Sequence, residues 1–302
     1  MEKMKNKITA KDELAVKIIA YVVLSFMALC AIAPFVMLVS ASFSSENALM
    51  NYGYRFFPKE FSVDSYVYIF AAWDSIGKAY LITIGVTVIG TTLSVLITSM
   101  FAYGLSSNDL PGKSIIMIIL VITMLFSGGI VSSYIIWRNY IGIENTLAAY
   151  IFPNLLMNGF TVILVLSYYK TSISAELLEA ARIDGAGEFY IYLKIMLPLS
   201  TPILATIGLM SALSYWNDWN NGLYYITDTS KYSIQLLLNK MNQNVEFLSS
   251  NPNIADQLGD VEIPSTSVRM TIALVGVLPI LVAYPFFQKY FAQGLTLGAV
   301  KG

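Results

Sequence analysis

Six stretches of this sequence are each long and apolar enough to cross a bilayer: Ile18–Ser42, Ala79–Tyr103, Ser114–Trp137, Thr146–Tyr169, Leu199–Tyr225 and Val268–Phe291. A helix needs roughly 20 mostly apolar residues to traverse the hydrocarbon core. An open sheet cannot do so, because its edge amides would go unpaired in lipid. The pattern therefore predicts an all-α integral membrane protein with six transmembrane helices. Pro34, Pro153, Pro202, Pro279 and Pro285 fall inside these runs, where prolines are tolerated and mark kinks. Charge agrees with this reading. Only 12% of the 302 residues are charged, against roughly 25% in a soluble domain. A charge at mid-membrane costs roughly 3 kcal/mol on insertion scales, so a lipid-facing surface explains the shortage.

Lysines and arginines set the orientation. With the N-terminus in the cytoplasm, eleven fall inside, led by Lys3, Lys5, Lys7 and Lys11, and seven outside. Both termini are then cytoplasmic. Residues 1–17 form a leader, 18–292 the transmembrane domain and 293–302 a tail. Long outside loops are expected at 43–78 and 226–267, and one long inside loop at 170–198. The asparagine-rich 226–267 loop either reaches a partner or is simply solvated. The basic leader imitates a signal peptide and Leu29-Cys30 a lipoprotein site. However, the first apolar run is too long, no cleavage pattern follows it, and a leucine precedes the cysteine.

Several chemistries are excluded. The chain has no histidine, the usual metal ligand and general base. Cys30 is the single cysteine, so no internal disulfide can form, and its thiol is expected to be buried. A net charge of −1 leaves no nucleic-acid footprint. Pro111-Gly112-Lys113-Ser114 imitates the end of a phosphate loop. That loop needs a glycine where Ser107 stands and a strand before it, and here a membrane span precedes. It reads as a turn, and any ATP that drives transport must bind another subunit.

The inside loop carries the strongest local signal. Residues 174–183 are good helix formers, with Leu177, Leu178 and Ala181 on one side. Glu176 suits the positive end of the helix dipole. Gly185 and Gly187 break the helix, a second amphipathic stretch runs over Phe189–Ile195, and Pro198 opens the fifth span. Ala180 and Ala181 are small enough to let another surface approach closely.

Glu179, Ala180, Ala181, Gly185, Ile195, Leu197 and Pro198 match, at every spacing, the signature Glu-Ala-Ala, three residues, Gly, nine residues, Ile-x-Leu-Pro. The loop thereby resembles the permease subunits of ABC importers. Phe57-Pro58, Phe61, Tyr66 and Trp216-Asn217-Asp218 resemble elements of carbohydrate-importer permeases. The segment Gly294–Gly302 is similar to the tail of the maltose-type second permease, and Tyr284–Tyr290 looks like the subgroup for aldouronate and other complex oligosaccharides. The resemblance implies a type I ABC importer permease fold whose coupling helix sits in a cleft of an ATPase subunit. Glu179 would face a basic group there, with Asp184 in the same stretch. Gly294, Thr296, Gly298 and Lys301 would reach between two ATPase subunits. The implied partners are a second permease in a heterodimer, two ATPases holding ATP and Mg, an external sugar-binding lipoprotein and an oligosaccharide. The chain itself would be no enzyme and carry no cofactor, in the plasma membrane of a bacterium. A stand-alone secondary transporter or channel also has six helices, but needs neither loop nor tail.

Tyr215, Trp216, Asn217, Asp218, Trp219 and Asn220 combine aromatic faces with amides, a lining suited to sugar. Trp216 lies about 27 Å along a helix from Pro198, near the outer mouth. The cluster either lines the pathway or belongs to an outer aromatic belt. As pathway, Trp216→Ala or Asn217→Ala would impair transport and spare assembly. Arg138, Arg269 and Lys78 near outer span ends either meet uronate cargo or anchor the interface. The glycines of Ser127-Gly128-Gly129 and Asn158-Gly159 are expected to serve close helix packing rather than a break.

Overall fold

The computed structural model describes residues 10–71, 73–107, 109–250 and 266–299. These are helical apart from turns and one antiparallel bridge between Ser44 and Phe61. The chain divides into two compact units, one built from Met1–Ala71 and Leu248–Val275, the other from Ala72–Phe247 and Gly276–Gly302.

The first unit contains α1 (Ala10–Ser42), α2 (Glu46–Tyr52) and α3 (Asp64–Ala71). Most of α1 is exposed apolar surface, and Cys30 is exposed with it rather than buried as expected. A buried polar knot closes the end of α1. The Ser42 carbonyl accepts from Ser65 Oγ at 2.9 Å and Thr271 Oγ1 at 3.3 Å, while Ser42 Oγ lies 2.9 Å from Tyr66 Oη. Phe43 stacks on Phe61 and Tyr66, so two aromatics of the 43–78 segment serve its own packing.

The second unit is organised around α4 (Trp73–Ser106), which holds the predicted second span. Next come α5 (Lys113–Leu125), α6 (Gly129–Ile135) with a π-helical turn at Ile136–Ile141, α7 (Ala148–Ile151) and α8 (Gly159–Ser172). The inside segment forms α9 (Ala175–Ile183), α10 (Glu188–Ile191), a π-helical turn at Tyr192–Met196 and α11 (Leu197–Leu199). It leads to α12 (Thr201–Trp216) and α13 (Asn220–Tyr225). The outside segment continues into α14 (Ile234–Ser250), which belongs to this unit as far as Phe247, and the last described helix is α15 (Thr266–Ala299), which belongs to it from Gly276 and carries Pro279 and Pro285. Helices α8 and α12 pack on α4 through Val162, Val165, Ile203 and Ile207, set against Ala102 and Leu105. A second core forms around Tyr150, Tyr215, Tyr225 and Leu236.

Two helices are long and apolar enough to cross a membrane unbroken, Leu14–Ser42 and Trp73–Ser106. The third predicted span is a bent pair, Lys113–Leu125 meeting Gly129–Ile141 at 113°, and the fifth begins at a bend, where Glu188–Leu199 of the expected inside loop meets Thr201–Trp216 at 81°. Counting each pair as one span gives four among the described residues. The two glycine sites divide. Gly129 adopts φ +76° with open space where a side chain would sit, so it makes a break, not the expected close packing. Gly159 is a close approach: an added Cβ would stand 2.6 Å from Met124 Cγ. The fourth predicted span is interrupted as well. Pro153 removes an amide donor and Asn154 takes a left-handed φ of 63°, so helix resumes only at α8.

Candidate functional site

The inside segment is built as a projecting helix on a defined turn. Ser174 Oγ accepts the Leu177 amide at 3.2 Å and starts α9. Its own backbone amide at the helix start, and then the Ser174 hydroxyl, hold the Glu176 carboxyl below its usual range, in keeping with its place at the positive helix end. At the other end the Ala186 amide donates to the Ala181 carbonyl and the Gly185 amide to the Arg182 carbonyl, both at 3.0 Å. With Gly185 at φ +84°, this double bond pattern is a Schellman closure, which explains why the motif needs glycine there.

The motif side chains then separate by role. Glu179, Ala180, Asp184 and Gly185 are exposed, and so is Pro198. Ala181, Ile195 and Leu197 are half-buried against the core of the second unit. Ile183 is 86% exposed, an apolar knob beside Asp184 that no described residue covers. The face that carries Glu179 is therefore free, while the face that carries Leu178 and Ala181 is used to hold the helix.

An ion pair crosses the glycine turn. Arg182 Nε donates to Glu188 Oε1 at 2.7 Å and Nη2 to Oε2 at 3.4 Å, and the Tyr103 hydroxyl of α4 donates to Glu188 Oε2. Sequence reading missed this set, because its three members lie on three helices and none is unusual alone.

The 215–220 cluster does something different from its neighbours in sequence. Tyr215 and Trp216 are buried. The Tyr215 hydroxyl donates to the Ile151 carbonyl at 3.0 Å, and Asn221 Nδ2 to the Pro153 carbonyl at 3.1 Å. These are carbonyls at the end of α7, where the interrupted span leaves the backbone without regular partners. Trp216 Nε1 donates to the Gly276 carbonyl at 3.1 Å. Asp218 Oδ1 accepts the Asn221 amide at 3.1 Å and starts α13. Asn217, Trp219 and Asn220 remain exposed, Asn217 Nδ2 being turned back to the Leu213 carbonyl.

A cavity of about 360 Å³ opens beside Ser214, lined by the polar Ser94, Asn154, Asn158, Thr161, Ser211 and Ser214 together with Leu155, Phe160 and Met210. Ser94 Oγ and Ser211 Oγ are 3.2 Å apart. The signal for it was present in the sequence as hydroxyls and amides inside otherwise apolar runs. A second cavity, about 400 Å³, is apolar and lies among α4, α12 and α15.

The outside segment is not a loose loop where it is described. Asn145 Oδ1 accepts the amides of Thr227 and Asp228 at 2.8 and 2.9 Å, and Thr83 Oγ1 accepts that of Ile234 at 2.9 Å. Arg138, one candidate for acidic cargo, is paired with Glu144 at 2.9 Å. Of the tail residues, Gly294, Thr296 and Gly298 lie on α15, and Lys301 lies outside the described residues.

Residues 86–297 match the family described as "Binding-protein-dependent transport system inner membrane component". The chain is 37% identical over 283 residues to the "Polygalacturonan/rhamnogalacturonan transport system permease protein YtcP" of Bacillus subtilis (strain 168), covering 93% of this chain and 96% of the relative. It is 32% identical over 271 residues to "Protein LplC" of the same strain, covering 90% of each. Among solved structures it is similar to a chain of a bacterial ABC transporter involved in the import of the acidic polysaccharide alginate. That match has a TM-score of 0.79 and 30% identity, and covers 94% of this chain and 98% of the other.

Proposed function

The chain belongs to the family of binding-protein-dependent transport system inner membrane components, as a sugar importer's permease subunit with an ABC importer permease fold, and from that premise we propose how it is driven and what it conducts. The α9 segment docks on a separate ATPase subunit, which holds ATP and Mg. What supports this is the free face of α9: Glu179, Ala180 and Ile183 stand exposed on a helix that is held by the half-buried Leu178 and Ala181 and by its hydrogen-bonded closing turn. A carboxylate beside small and apolar side chains suits a cleft with a basic group at its edge.

The full arrangement is six spans with both termini cytoplasmic, in a heterodimer with a second permease above two ATPases. The tail reaches toward those ATPases, and an external lipoprotein delivers an oligosaccharide of the kind that the relatives' names describe. ATP closes the ATPases, the α9 segment moves with them, and the pathway alternates between outside and inside. In this subunit the sugar passes the cavity of Ser94, Asn154, Asn158, Ser211 and Ser214. Its hydroxyls and amides offer many interchangeable hydrogen bonds, which suits a wall that must release what it touches. Of the 215–220 cluster, Asn217, Trp219 and Asn220 are the exposed members, and in this reading they are the ones the sugar meets.

The test is Glu179→Lys in the assembled importer in proteoliposomes. The variant is expected to insert and stay folded but to lose ATP-dependent uptake. Uptake at the wild-type rate would refute docking through this face.

A further inference from the structure

Resting on the docking reading above, we propose that Arg182, Glu188 and Tyr103 form a clasp that passes movement of α9 to α4, with Glu188 as its pivot. The three residues are positioning residues for transport, and none touches cargo.

The geometry carries the inference. Helix α9 joins α10 only through the turn at Gly185, which has no side chain to brace it. At its start α9 is joined to α8 through Ile173-Ser174, and at its end the Gly185 turn is hydrogen-bonded but not helical, so these two links are the hinges about which α9 can swing. Two attachments oppose that swing. One is apolar, the half-buried Leu178 and Ala181. The other is the forked pairing of Arg182 with Glu188 across the turn.

Glu188 does not end the chain of contacts, because its Oε2 also accepts from Tyr103 in the last turn of α4. A second tie sits one turn further along α4. Ser99 Oγ and Tyr192 Oη are 2.7 Å apart and buried, and the Tyr103 and Tyr192 rings are 5.5 Å apart. Thus α10 and the π-helical turn after it are fixed to α4, and α9 is fixed to α10 by charge. From Tyr103, α4 continues as unbroken helix to Ser94 in the polar cavity, a rise of about 13 Å. A displacement applied at α9 thus reaches the cavity wall along one rigid element.

Exposed ion pairs contribute about 0–1 kcal/mol to stability. Arg182 and Glu188 are 40% and 59% exposed at their side chains. Loosening the clasp should therefore spare folding and affect only transmission, which makes the two roles separable.

The experiment uses the assembled importer in nanodiscs, in a Cys30→Ser background with spin labels at Ala175→Cys on α9 and Leu96→Cys on α4. Both sites are exposed. The distance between labels is measured without nucleotide and with ATP and vanadate. The clasp predicts one narrow distance, the same in both states, because α9 and α4 move together. Tyr103→Phe, which keeps the ring, and Glu188→Gln should each broaden that distance or shift it by several ångströms on adding nucleotide. Melting temperature and co-purification of the ATPase subunits should stay at wild-type values. Distances in both variants indistinguishable from wild type would overturn the proposal, as would a wild-type distance that itself changes with nucleotide. Exchanging the pair, Arg182→Glu with Glu188→Arg, keeps the ion pair but removes the carboxylate that accepts from Tyr103, so the distance to α4 should still broaden as in Tyr103→Phe; a distance as narrow as wild type would overturn the role of Glu188 as pivot. Failure of the docking reading looks different: wild-type permease would not retain the ATPase subunits at all.

Discussion

Two segments of this protein look equally rich in chemistry as sequence, 174–198 and 215–221, yet the fold uses them in opposite ways. The first keeps its polar and small residues on the outside, on a helix closed by the Gly185 turn. The second turns Tyr215, Trp216 and Asn221 inward, where they bond to backbone carbonyls at helix interruptions and a proline-bearing helix. The difference teaches that a membrane protein with broken helices has an internal demand for hydrogen-bond donors. In lipid, water cannot meet that demand. A Trp-Asn cluster in an apolar span can answer it before any cargo does.

Substitutions in the two segments should therefore fail in different ways. The largest functional effect is expected from Glu179→Lys, with uptake at background and an unchanged melting temperature in detergent. If the melting temperature fell with uptake, α9 would be a structural helix and the contrast would collapse. The largest effect on stability is expected from Trp216→Ala, a loss of about 3–5 kcal/mol for truncating a large buried side chain. Turnover per folded complex should be retained. Normal stability with slowed turnover would place Trp216 on the pathway.

Tyr215→Phe sharpens the comparison, because it leaves the ring and removes one donor. Stranding the Ile151 carbonyl should cost about 1–3 kcal/mol, read as a lower melting temperature, and an unshifted melt would show that the carbonyl finds another partner. Gly185→Ala should cost about 1–2 kcal/mol for a left-handed residue with a Cβ, with reduced ATPase retention on co-purification. Smallest is Asn217→Ala, expected within about 0.5 kcal/mol because its side chain is exposed. A slowed uptake in that variant alone would place the exposed rim of the cluster on the sugar's route.

Much of the fold was legible. Long apolar runs, their prolines and the spacing from Glu179 to Pro198 follow from local rules about lipid, amides and glycine. What was not legible depends on partners distant in sequence. Gly129 and Gly159 read alike, yet one is a break with open space and the other lies against Met124. Only the neighbouring helix distinguishes them. The 226–267 segment read as loop because its asparagines carry no helix signal, whereas α14 begins at Ile234, whose amide is held by Thr83. The polar cavity needed three segments to converge before scattered serines and asparagines became one lining.

By itself, the sequence determined that this chain lies in a membrane as helices and that residues 174–198 resemble a coupling loop. Both conclusions rest on interactions within a few helical turns: burial of apolar runs in lipid, and the left-handed backbone that glycine permits at 185. Tertiary structure alone decided which aromatics are splints, which glycine packs, and that Arg182, Glu188 and Tyr103 meet. Those outcomes depend on which donor reaches which carbonyl or carboxylate across helices, and spacing along one chain does not encode the distance between two of its turns.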